Sequence, residues 1–188
     1  KLRSCGKKYT GVDIRIVDDD KNDVALGEVG EIVIKSSVIM KGYWNRDEAN
    51  KESIVDGWFY TGDAGYFDDE DFLYIYDRVK DMIISGGENI YPAEVENALM
   101  SHPDIMDAGV VGVPDDKWGE TVKGFVILKE GSNITEAEII ASTKEKIASY
   151  KCPTSINFIT EMPRNPSGKI LRRELRAPYW DKEGRNVS

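Results

Sequence analysis

Lys169 sits in the run Arg164-Asn165-Pro166-Ser167-Gly168-Lys169-Ile170, behind a Pro-Ser-Gly stretch and ahead of a predicted helix. Proline and glycine shape a loop that can project its tip. An ammonium there is a mobile point charge suited to phosphate and carboxylate oxygens; the bland alternative is a solvated lysine at a helix start. Upstream, Tyr60-Thr61-Gly62-Asp63 follows aromatic strand material. A carboxylate at Asp63 could accept hydrogen bonds from two ribose hydroxyls, and Gly62 lets backbone approach a ligand. An ordinary Asp-containing turn is the competing reading. Arg78 offers a permanently charged planar fork for ribose or phosphate oxygens, or else a surface ion pair with Asp77 or Asp81, worth little. Ser85-Gly86-Gly87-Glu88-Asn89 reads as a hairpin turn whose paired glycines leave room for a narrow ligand arm beside the backbone.

Composition bounds the possibilities. The chain has 188 residues, 40% of them hydrophobic, and a formal net charge of -9. That is enough apolar material for a packed core, in one larger domain or two small ones. The acidic balance argues against general nucleic-acid or membrane-surface binding, which needs clustered Lys and Arg. Arg172, Arg173 and Arg176 form a local basic patch on the last predicted helix. Cys5 and Cys152 are the only cysteines and His102 the only histidine, so a zinc site is not expected and free thiols in a reducing compartment are. No apolar run reaches the length of a membrane span and no secretory signal opens the chain. A cytoplasmic location is the expectation.

The elements that must position these residues fall into two sets. Val12, Ile14 and Ile16 alternate with polar residues, and Ile32 to Ile34 follow a turn-prone Asp18 to Asp23 stretch; both are strand patterns. Phe59, Tyr60, Tyr66, Phe67, Phe72, Tyr74 and Tyr76 supply strands around Asp68 to Asp71. Residues 1–77 thus read as a mostly antiparallel β-unit with a short helix near Asp47 to Glu52. Beyond residues 78–81 the pattern changes to a small α+β unit, 82–188. Pro92 suits a first helical turn, Val95 and Leu99 form that helix's buried face, and His102 and Pro103 end it. Val110 to Val113, Val122 to Leu128 and Ile156 to Ile159 read as strands. Thr135 and Glu138 have capping-box spacing, opening a helix toward Ser149. The fold class is α+β.

Together, the Thr61-Gly62-Asp63, Asp77-to-Ile90 and Arg164-to-Ile170 segments resemble, over nearly the whole chain, the C-terminal part of the adenylate-forming acyl-CoA synthetases. The resemblance implies an enzyme that uses ATP and Mg2+ to activate a carboxylic acid as acyl-AMP and then passes the acyl group to CoA. Thr61, Asp63 and Arg78 would bind the nucleotide. Lys80 matches the hinge between the large and small domains, where many relatives carry Asp and others Lys. Gly86, Gly87 and Glu88 would shape the pantetheine channel. Trp118 matches a channel position in some relatives, against an even alternative of plain packing. Lys169 would offset charge crowding at the α-phosphorus, an effect worth roughly 10²–10³ in rate. The ending Leu171 to Arg176 looks most like fatty acyl-CoA synthetases. Cys152 and Thr154 stand where some relatives carry basic residues that hold the CoA phosphates, so either that anchor is missing here or the task passes to Lys151 and other cations. The family's Gly-rich phosphate loop and magnesium-holding glutamate would lie upstream of Lys1, so the chain is expected to be the back portion of a longer enzyme, inactive alone. A carrier-protein thiol in place of CoA, and a noncatalytic binding module, are the alternatives.

Overall fold

The computed structural model describes residues 1–180; residues 181–188 of the expected second unit lie outside them. The chain divides into two compact units, Lys1–Lys80 and Asp81–Ser188.

The first unit is an antiparallel sheet. Strands β1 (Val12–Val17) and β2 (Gly30–Ser36) pair along their whole length, from Val12 opposite Ser36 to Val17 opposite Glu31. The acidic Asp18 to Asp23 segment turns the chain after β1. Helix α1 (Asp47–Ser53) buries no residue; its Asn50 side chain instead clamps both backbone polar groups of Tyr43, at 2.6 and 3.0 Å. The two-residue β3 (Ile54–Val55) leads into the long β4 (Trp58–Phe67). β4 takes β2 on one edge; β3 and then β5 (Leu73–Arg78) share the other. The expected alternation breaks at β2, where Ile32 and Val33 are both buried, so both sheet faces are covered there. Ile16, Ile32 and Leu73 form the main core, flanked by Ile14, Val24, Ile34 and Phe67.

The second unit is built around a sheet covered on both faces. Strands β6 (Ile83–Ser85) and β7 (Glu88–Ile90) form a hairpin, followed by α2 (Pro92–Met100), β8 (Ile105–Asp115), β9 (Gly119–Leu128), α3 (Glu136–Lys144), β10 (Ser155–Phe158) and α4 (Arg172–Trp180). β8 and β9 pair antiparallel over their full length, while β10 joins β9 in parallel. The near-continuous apolar runs of β8 and β9 fit burial on two sides. One face packs Val110, Val122 and Val126 with Val95 and Leu99 of α2 and Ile139 of α3. The other packs Val111, Val113, Phe125 and Ile127 with Met162 and Leu175 of α4. Thr135 caps α3 in a full capping box with Glu138, yet the helix stops at Lys144 rather than running on to Ser149, where a short 3-10 turn forms. Pro92 occupies the start of α2 as its missing N–H favours.

Candidate functional site

In the first unit, the Thr61-Gly62-Asp63 turn is held by groups on two strands. Thr61 Oγ donates to the Ile32 carbonyl at 2.8 Å and accepts from the Asp63 N–H at 3.1 Å. Gly62 takes φ 71°, the left-handed region that favours glycine, and its N–H donates to Glu31 Oε1 at 2.9 Å. The strand register places Asp63 opposite Arg78. The guanidinium reaches Asp63 Oδ1 at 2.7 Å, while the Arg78 backbone N–H donates to Asp77 Oδ1 at 2.8 Å. Glu31 is the residue that sequence reasoning missed. Burial pushes its carboxyl above the ordinary range, against the pull of the Gly62 N–H, and Asp19 and Asp63 add to the rise. Lys80 lies in a 3-10 turn, Val79–Asp81, and is the last residue of the first unit.

In the second unit, Gly86 and Gly87 make the two-residue turn of the β6–β7 hairpin, with φ of 60° and 87°. Positive φ at both positions is the type I′ geometry that matches strand twist. Gly86 N–H donates to the Trp118 carbonyl at 2.9 Å. A Cβ on Gly86 would fall 2.7 Å from Trp118 Cε3, whereas one on Gly87 would meet nothing within 4 Å. The glycine therefore admits the indole. Trp118 is half exposed, its ring faces the Lys117 ammonium at 4.4 Å, and its backbone N–H donates to Asp115 Oδ1 at 2.9 Å. Glu88 opens β7 and is exposed.

Lys169 is exposed, and its bonds to the rest of its loop are backbone ones. Its N–H donates to Asn165 Oδ1 at 2.9 Å and its carbonyl accepts from the Asn165 N–H at 2.9 Å. The ammonium is left at the surface.

Two expected cationic features turn out to be committed elsewhere. Arg172 does not present a basic patch: its guanidinium is mostly buried, bidentate to Glu96 at 2.8 and 2.9 Å and 3.5 Å from Asp81. Glu96 also accepts from the Val110 N–H. Lys151, the heir expected for phosphate contacts, is ion-paired with Glu94 at 2.7 Å and mostly buried. Cys152 is buried and burial pushes its thiol up, which suits a packing role. Among the described residues no cluster of His, Cys, Asp or Glu could hold a metal ion. No described helix is long and apolar enough to cross a membrane.

A glycine-stabilised acidic turn, a diglycine hairpin and a lysine-tipped loop, in this order on these two sheets, define a C-terminal portion of an adenylate-forming enzyme, and the chain belongs to the AMP-binding enzyme family. Residues 1–44 match the family model for the AMP-binding enzyme and residues 94–169 the model for the AMP-binding enzyme C-terminal domain. A 2-succinylbenzoate–CoA ligase from Geobacillus kaustophilus is 50% identical over 176 residues, covering 94% of this chain and 36% of the relative. The fatty acid–[acyl-carrier-protein] ligase ScoC from Streptomyces coeruleorubidus is 42% identical over 187 residues, covering 100% of this chain and 36% of the relative. The o-succinylbenzoate CoA synthetase of Bacillus subtilis in complex with the acyl-adenylate OSB-AMP superposes with a TM-score of 0.84 at 44% identity, over 93% of this chain and 36% of that one. The same synthetase has been solved with ATP and a magnesium ion; there the TM-score is 0.82 at 43% identity, again over 93% and 36%. The chain thus spans about a third of the length of these relatives.

Proposed function

We propose that the protein works as part of an ATP-dependent acid–thiol ligase, forming an acyl-AMP and passing the acyl group to CoA. The observation that carries this reading is the Lys169 loop: a rigid backbone turn that holds one exposed ammonium at its tip. Attack of the carboxylate on the α-phosphorus of ATP crowds negative charge as pyrophosphate leaves, and a preplaced cation offsets that charge. Asp63 and Arg78 would hold the ribose, Asp63 as acceptor and Arg78 as donor. Lys80 would be the hinge, at the point where one unit gives way to the next. A hinge needs backbone at the end of an element that can absorb a dihedral change. The Gly86–Gly87 turn, with Trp118 beside it, would border the pantetheine arm in the thioester step, and Glu88 would order that turn.

A fatty acid is the proposed substrate. The 50% identity to 2-succinylbenzoate–CoA ligases makes an aryl dicarboxylate the competing acid, and the likeness to a carrier-protein ligase supports a second reading for the thiol. The test gives the full-length protein ATP, magnesium and either a fatty acid or 2-succinylbenzoate, then CoA or a phosphopantetheinyl carrier. Acyl-CoA from the fatty acid is the expected product. Turnover with 2-succinylbenzoate alone corrects the acid, thioester on the carrier alone corrects the thiol, and no adenylate from any acid overturns the reading. The 188-residue chain alone is expected to give no ATP–pyrophosphate exchange.

A further inference from the structure

The loop that carries Lys169 is closed by a network whose members lie outside the expected site. Asn165 Oδ1 gathers three donors: the Ser167 N–H at 3.0 Å, the Ser167 hydroxyl at 2.8 Å and the Lys169 N–H at 2.9 Å. The Asn165 backbone adds two more bonds, donating to the Lys169 carbonyl and accepting from the Gly168 N–H, both at 2.9 Å. Arg164 then ties the turn to the sheet. One guanidinium nitrogen donates to the Gly168 carbonyl at 2.6 Å, while another is bidentate to Asp107 of β8 at 2.7 and 2.9 Å. Asp107 sits where the β8–β9 register shifts between Ile105 and Asp107, and its Oδ1 also accepts from the Ala108 N–H at 3.0 Å. Arg164 and Ile170 face each other in an isolated antiparallel bridge.

This network matters because Gly168, at φ 84°, is the residue with the most backbone freedom and immediately precedes the lysine. Without side-chain acceptors and donors around it, the lysine's starting point would wander. A planar guanidinium held at one nitrogen by the Asp107 carboxylate and at the other by the Gly168 carbonyl fixes direction as well as distance. We propose that Asn165, Arg164 and Asp107 are positioning residues that set the rate of acid activation by fixing the backbone from which Lys169 reaches. They touch no substrate. The proposal rests on the role given to Lys169 above.

A displacement of about 1 Å at a reacting group can cost roughly a hundredfold in rate. In the full-length protein, Asn165→Ala should lower the kcat of pyrophosphate release from ATP and acid by about ten- to a hundredfold, with the KM for ATP little changed. Asn165→Asp keeps an acceptor oxygen and should restore most of the rate. Arg164→Lys keeps charge, loses the fork and should fall between the two. The control is thioester formation from supplied acyl-AMP, which does not need the lysine in its activating position and should stay near the wild-type rate in all three variants. A fold defect would depress both half-reactions equally, and that outcome overturns the proposal. So does unchanged pyrophosphate release in Asn165→Ala when Lys169→Ala abolishes it. If Lys169→Ala is itself fully active, the role of Lys169 falls, and the clamp's role with it.

Discussion

Asp63 and Arg78 stand directly opposite each other across β4 and β5, the guanidinium 2.7 Å from Oδ1 of the carboxylate. The pair sits at the rim of the sheet next to the left-handed Gly62, and the same guanidinium nitrogen lies 3.4 Å from the Thr61 carbonyl. The arrangement groups one acceptor and one multi-donor cation on a turn that strands β2 and β4 hold in place.

If that pair grips a ribose, Arg78→Gln removes charge-assisted hydrogen bonds to the nucleotide, each worth about 1.5–3 kcal/mol. AMP binding by the full-length protein should weaken about ten- to a hundredfold, as read by isothermal titration calorimetry. An unchanged Kd would mean that Arg78 only neutralises Asp63.

Gly86 and Gly87 share a turn but not an environment, and substitution separates them. Alanine at either position meets the left-handed penalty of about 1–2 kcal/mol. Only at Gly86 does the new methyl run into Trp118, at 2.7 Å. Gly86→Ala should therefore lower the urea midpoint of this chain more than Gly87→Ala. Adding Trp118→Ala should return the excess, which a double-mutant cycle measures.

Glu31 gives the acidic turn a pH dependence whose sign follows from its raised carboxyl. The folded state favours the protonated acid, so stability is highest below the ordinary value near 4.5 and is lost as pH climbs through the raised value. Glu31→Gln keeps an acceptor for the Gly62 N–H without the buried charge. Its thermal midpoint relative to wild type should therefore be more favourable at pH 7 than at pH 4. A difference that is flat across this range would show that the Glu31 charge costs the fold nothing.

What the sequence could show was local. The diglycine turn, the Thr135–Glu138 box and the proline start of α2 are each written within a few residues, where backbone preference alone decides. The partners of the charged groups are not. Arg78 finds Asp63 only through the β4–β5 register, Gly62 finds Glu31 on a neighbouring strand, and Arg164 finds Asp107 across 57 positions. Arg172 read as part of a basic patch because its neighbours in sequence are basic; its neighbours in space are Glu96 and Asp81. The short β10 gave a strand pattern but no sign that it would run parallel to β9, since that choice depends on the crossover through α3.

The proposed acid activation depends on the ammonium of Lys169. The direct measurement is ATP–pyrophosphate exchange by the full-length protein carrying Lys169→Ala, with its acid substrate at saturation, beside thioester formation from supplied acyl-AMP. Exchange should fall roughly 10²–10³-fold while thioester formation persists. Exchange at the wild-type rate would contradict the account.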